Sequence, residues 1–112
     1  MASTLTDRVS GALGGAVSSN GYGIIPVSGV AGTDTVTGTC TPTIAGYVAN
    51  RYFSIRPVNL NTGAVDVNFD SSGLVSLLSP GGAELTAGQF DPAYEYIIKF
   101  NGTDFRIISP SF

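Results

Sequence analysis

The chain has no histidine, a single cysteine and few charged residues, and each scarcity narrows what it can be. Without histidine, the commonest general base and the commonest metal ligand are both missing, so a conventional serine triad cannot be assembled. Cys40 alone can form neither an internal disulfide nor a cysteine zinc site. Lacking a histidine partner, it is expected as a small buried apolar group rather than a nucleophile. No apolar run approaches the roughly 20 residues that cross a bilayer, and the start lacks a basic segment followed by an apolar stretch. Neither membrane insertion nor signal-peptide export is therefore expected. The five basic residues Arg8, Arg51, Arg56, Lys99 and Arg106 are scattered through a chain of net charge -3. That arrangement offers no attraction to a phosphate backbone, so nucleic-acid binding is not expected.

The charge deficit also bears on assembly. Charged residues make up 12% of the chain, about half of the typical ~25%. A domain of 112 residues has one modest core and proportionally much surface, which a soluble monomer usually covers with charge. The expectation is that part of this surface meets other protein, in an oligomer or a larger assembly.

What the chain does contain is β-strand patterning. In Tyr94-Glu95-Tyr96-Ile97-Ile98-Lys99-Phe100, alternate side chains put Tyr94, Tyr96, Ile98 and Phe100 on one face and Glu95, Ile97 and Lys99 on the other. Asn101-Gly102-Thr103-Asp104 then supplies a turn, and Phe105 and Ile107 return to the same core with Arg106 and Ile108 facing away. A second hairpin is expected from Arg51–Val58, with Phe53, Ile55 and Pro57 on one face, through Asn59–Gly63 to Val65, Val67 and Phe69. Thr33–Thr41 and Leu74–Leu78 read as further strands, and Ala83–Pro92 as holding one more short strand. Pro26 puts Ile24–Val27 at an edge or strand end, and the loop Pro42–Asn50 offers Ile44, Tyr47 and Val48 for packing.

The first residues differ. Thr4-Leu5-Thr6-Asp7 fits a helix cap, with Leu5, Val9 and Leu13 on one stripe and Gly14-Gly15 as a stop. About three turns of helix are marginal alone, so this stripe is expected to dock on a partner, on copies of itself or on its own domain. The predicted organisation is an N-terminal helical attachment segment with linker over residues 1–23. After it comes an all-β domain over 24–112, a small β-sandwich or barrel of short antiparallel strands.

Side chains that could carry chemistry are sparse. Asp66, Asn68 and Asp70 share one strand face, but an EF-hand would need Gly at Ser71 and Glu at Leu77. They are expected to form a solvated strand face, with no metal and no cofactor. The carboxylates Asp66, Asp70, Glu84, Asp91, Glu95 and Asp104 are scattered, and the sequence does not fix the separation that sugar hydrolysis requires. Catalysis is not expected.

The order of several motifs resembles a β-rich module that recurs in bacteriophage tail fibres and related virion appendages. The resemblance rests on Gly32-Thr33-Asp34-Thr35-Val36-Thr37, Tyr52-Phe53-Ser54-Ile55, Asn61-Thr62-Gly63-Ala64-Val65-Asp66-Val67-Asn68, Ser79-Pro80-Gly81-Gly82, Leu85-Thr86-Ala87-Gly88 and the closing hairpin Tyr96–Ile107. It implies a non-enzymatic structural protein of a virion, commonly a homotrimer, that contacts other virion proteins or the host surface. The chain length suits a short fibre, tail appendage or adaptor, with a head fibre or capsid decoration protein as one alternative and a host-glycan-binding adhesin as another. In that scheme Leu5, Val9 and Leu13 would dock on a virion partner, and Ile97 and Ile108 would lie in the subunit interface. Tyr22, Asn61, Asn101 and Asp104 would be candidate receptor contacts.

Overall fold

A computed structural model describes residues 23–112, so the expected N-terminal helix, the docking stripe Leu5, Val9 and Leu13, and Tyr22 lie outside the described residues. The described part is all-β, with strands β1 (Ile24–Ala31), β2 (Thr35–Cys40), β3 (Tyr52–Ile55), β4 (Val65–Phe69), β5 (Val75–Leu78), β6 (Tyr96–Phe100) and β7 (Phe105–Ser109). They close into a barrel in the order β1-β2-β4-β5-β7-β6-β3, with β3 returning to β1.

Period-two patterning places the inward residues as expected. Phe53 and Ile55, then Val65, Val67 and Phe69, then Ile98 and Phe100, then Phe105 and Ile107 all point into one core. Filling so narrow a barrel requires large side chains, and five rings meet at its centre. Phe105 lies 5.2 to 5.6 Å, centroid to centroid, from Phe100, Tyr47, Phe53 and Phe69. Several of these contacts are edge-to-face or tilted, the arrangement that ring quadrupoles favour.

Partner choice differs from the sequence expectation. The pairs β1/β3, β2/β4 and β5/β7 are parallel, so the strands are not uniformly antiparallel. The expected hairpin between Arg51–Val58 and Val65–Phe69 does not form, because β3 pairs with β1 and β6 while β4 pairs with β2 and β5. Residues 56–64 make a longer connection than a tight turn, and Pro57 and Asn61 are buried within it. The Ala83–Pro92 segment holds only an isolated bridge, Leu78 to Glu84, in place of a strand. Pro26 is the third residue of β1, near the strand start, the second of the two expected placements; a closed barrel leaves no sheet edge for the first. The closing hairpin forms as expected, its turn closed by Asn101 N–H donating to the Asp104 carbonyl at 3.0 Å.

Strand directions sort the loops onto two rims. Residues 32–34, 56–64, 79–95 and the segment after β7 share one rim, while 41–51, 70–74 and 101–104 share the other. The chain enters β1 at the second rim. The entry rim and the far rim are therefore opposite ends of the barrel.

Gly32 shows how tightly the far rim turns. Its φ is +96°, and a Cβ there would run into the carbonyl oxygen of Thr35, so only glycine fits.

Candidate functional site: a cleft on the far rim

Each rim is held by side chains that bind backbone. On the entry rim, the Asp70 carboxylate accepts from Cys40 N–H at 3.1 Å and from Ile44 N–H at 2.9 Å. The Tyr47 hydroxyl accepts from Phe69 N–H and donates to the Gly73 carbonyl. Ile44 and Tyr47 pack on the core as expected, whereas Val48 is exposed. On the far rim, Asp34 accepts from Thr62 N–H at 2.8 Å and from the Thr62 hydroxyl, and the Asn59 amide donates to the Gly32 carbonyl.

These contacts set the charge state of both carboxylates. The hydroxyl and backbone hydrogen bonds of Thr62 hold Asp34 below its ordinary value of 3.8. Bonds from Ile44 and then Cys40 lower Asp70 in the same way, outweighing a partial loss of hydration. A carboxylate depressed in the folded state stabilises fully above its unfolded value and loses that contribution as pH falls through the folded one. The melting temperature should therefore fall on acidification below about pH 4. A Asp34→Asn, Asp70→Asn double variant should show a flatter dependence in that window, measurable by differential scanning calorimetry.

Cys40 is 2% exposed. Burial first, and then the nearby Asp70 carboxylate, push its thiol up to about 12. A thiol kept protonated and covered is not a nucleophile. The folded chain should fail to react with a disulfide reagent near about pH 8 and react fully on unfolding.

The far rim carries a cleft of about 350 Å³ between residues 88–96 and 110–112. Its floor is Tyr96, which is buried, packs its ring 4.8 Å from Phe90, and uses its hydroxyl twice. That hydroxyl accepts from Asp91 N–H at 2.8 Å and donates to the Gln89 carbonyl at 2.9 Å. Burial of this phenol raises its pKa. The alternation places Tyr94 on the face of Tyr96, but β6 begins at Tyr96, and Tyr94 is 54% exposed, with the two rings in a T-shaped contact at 6.3 Å. The remaining lining includes Gln89, Asp91, Ser111 and Phe112.

Asn61 is what holds the cleft-bearing loop to the barrel. Its side-chain amide donates to the carbonyls of Gly63 at 2.7 Å and Thr86 at 2.9 Å, and its oxygen accepts from Phe90 N–H at 2.9 Å. At 2% exposure with donors and acceptor committed to backbone, Asn61 is a structural clamp. This corrects the expectation that it contacts a receptor.

The other sequence-derived candidates lie apart from the cleft. Asn101 and Asp104 are on the entry rim, and their polar atoms are used inside the turn. The Asn101 oxygen accepts from Thr103 N–H and Asp104 N–H, while the Asp104 carboxylate takes both the Asn101 amide and Arg106 Nε at 3.2 Å. Ile97 and Ile108 are on the outer barrel face, half-buried and 45% exposed respectively. Asp66, Asn68 and Asp70 diverge to separate partners, Ser76, Gly73 and the Cys40–Ile44 backbone. Among the described residues no group of three metal-binding side chains converges. Comparison with protein-family models gives no match, and no curated protein matches the sequence.

Sequence reasoning missed the cleft because its lining, apart from Tyr96, comes from an irregular loop and from the segment after the last strand. The available signal was Gln89-Phe90-Asp91-Pro92-Ala93-Tyr94, in which Pro92 and the small Ala93 argue against extending the strand back to Tyr94.

Proposed function

We propose that this chain is a non-enzymatic structural protein of a bacteriophage virion, a homotrimeric short fibre, tail appendage or adaptor attached through its N-terminal segment. The observation that carries the assembly is a set of exposed apolar side chains on the outer faces of β1, β3 and β7, interspersed with Lys99 and Arg106 in the row that continues from Ile24 and Tyr52. Ile24 and Tyr52 are register partners on β1 and β3, Ser54 pairs with Ile97 on β6, and Ile108 follows on β7. Ile24 is 51% exposed, and Tyr52 and Ile108 are exposed as well. Among the described residues the closed barrel offers no strand edge for augmentation, so contact between barrels would use side chains of an outer face and not added strands. Lys99, whose ammonium sits 5.6 Å over the Tyr52 ring, would lie at the polar rim of such a contact, since lysine is depleted at interface cores.

The two-rim arrangement supports attachment at one end. Residues 1–23 lead into the entry rim, where Leu5, Val9 and Leu13 would dock on a neighbouring virion protein and leave the far rim outermost. Deleting residues 1–17 should abolish incorporation into particles while the barrel still folds, read by circular dichroism and by the composition of purified particles. Particles that retain the truncated chain would remove the docking role.

A further inference from the structure

We propose that Asn101 is a site of self-modification, at which the Gly102 backbone nitrogen displaces ammonia from the Asn101 side-chain amide and leaves aspartate or isoaspartate at position 101. Glycine follows the asparagine, so no Cβ shields the attacking nitrogen. Asn101, Gly102 and Thr103 are exposed at the tip of the β6–β7 hairpin, open to water and base. Among the described residues no backbone carbonyl accepts from Gly102 N–H, which leaves that proton open to abstraction.

The turn also prepares the electrophile. Asn101 Oδ1 accepts from Thr103 N–H and from Asp104 N–H, each at 2.9 Å. Those bonds fold the side chain back over its own turn and bring Cγ alongside the next peptide nitrogen. They also hold backbone donors on the oxygen that becomes negative when Cγ turns tetrahedral, the arrangement that stabilises an oxyanion. Asn101 Nδ2, the leaving group, donates to Asp104 Oδ1 at 3.0 Å, which keeps the amide from rotating away. In the step itself hydroxide takes the Gly102 proton and the nitrogen bonds to Cγ. The Cγ–Nδ2 bond then breaks, and that nitrogen takes a proton from water and leaves as ammonia. Water opens the resulting cyclic imide. Addition at Cγ gives aspartate, and addition at the main-chain carbonyl carbon gives isoaspartate, in which the backbone runs through the side chain.

Either product alters the entry rim. A carboxylate cannot donate to Asp104 as the amide does, so like charges face each other across the turn. Isoaspartate also lengthens the backbone inside the turn that Asn101 N–H closes on the Asp104 carbonyl. The neighbouring Phe100 is bonded through its N–H to the Arg51 carbonyl and through its carbonyl to Asn50 N–H, so the change reaches the 41–51 loop. This inference goes beyond the virion assignment and does not depend on it, since particle incorporation is read separately.

The test is peptide mapping by mass spectrometry of the full chain after incubation in neutral and in mildly alkaline buffer, with isoaspartate methyltransferase labelling to separate the two products. Mapping distinguishes position 101 from Asn20-Gly21, the other Asn-Gly pair of the sequence. Both products should accumulate at position 101 in the folded chain, faster at the higher pH and no slower than in the same chain unfolded in guanidinium chloride. Asn101→Gln, whose longer side chain closes a less favourable ring, should stay unmodified. Asn101→Asp, which reproduces one product, should accelerate amide hydrogen exchange at Phe100–Phe105 more than in β4. The proposal is overturned if position 101 stays intact in the folded chain, if it reacts faster once unfolded, or if aspartate forms without isoaspartate, the mark of direct hydrolysis by water. Unchanged exchange in Asn101→Asp would overturn the effect on the entry rim.

Discussion

Phe105→Ala should destabilise the barrel by about 3–5 kcal/mol, the range for truncating a buried aromatic residue. Phe105 is fully buried, and its ring meets those of Tyr47, Phe53, Phe69 and Phe100. Removing it deletes the transfer free energy of a phenyl group and leaves a void that four rigid neighbours cannot all collapse into. The aromatic contacts add about 0.5–1.5 kcal/mol per pair beyond the area they bury, though not additively. Small domains have total stabilities of about 5–15 kcal/mol, so the variant should be partly unfolded at ordinary temperature. Urea denaturation followed by tyrosine fluorescence reads the change. A loss below about 1.5 kcal/mol, typical of a peripheral site, would mean that Phe105 is not the centre of the core.

The second large effect is expected at Asn61, although it lies in a loop. Asn61→Ala removes three side-chain hydrogen bonds, each worth about 1 kcal/mol, and leaves the buried Phe90 N–H without its side-chain acceptor at a further cost. A loss of about 3 kcal/mol is expected. Asn61→Asp should do no better, because a carboxylate cannot donate to the Gly63 and Thr86 carbonyls that the amide now serves. The loss should also be local. Because Asn61 ties residues 56–64 to 86–90, amide hydrogen exchange should accelerate around Thr86–Tyr94 more than in β4 or β7. Uniform acceleration would instead mark a general core defect and contradict the clamp.

These two residues mark what could be read from the sequence and what could not. Phe105 was legible: the alternation Phe105-Arg106-Ile107 after an Asn-Gly turn assigns its face before any partner strand is known. The same holds for Val65, Val67 and Phe69. Alternation specifies which face is buried but is silent on which strand lies alongside, because a parallel and an antiparallel neighbour bury the same face of a barrel. That is why alternation predicts a β3–β4 hairpin and does not predict the β1/β3, β2/β4 and β5/β7 pairing. Asn61 was illegible for a different reason. In Asn61-Thr62-Gly63 the residue looks like ordinary turn chemistry, and only the tertiary approach of Thr86 and Phe90 turns it into a buried clamp. The cleft shares that character, since Tyr94 alternates with Tyr96 in sequence but leaves the strand register at Pro92–Ala93.

Ile97 and Ile108 occupy an intermediate position. Their outward direction follows from the hairpin pattern and is present in the structure, while their role as a subunit contact belongs to the proposed assembly. Low overall charge and the exposed Ile24, Tyr52 and Ile108 are the features that motivate association through this face. The most direct test is the mass of the purified full-length chain in solution, by light scattering or sedimentation equilibrium. The account predicts a trimer, about three times the 11.5 kDa chain mass, that dissociates when Ile108 is replaced by lysine. A uniform 11.5 kDa monomer over the working concentration range would contradict it.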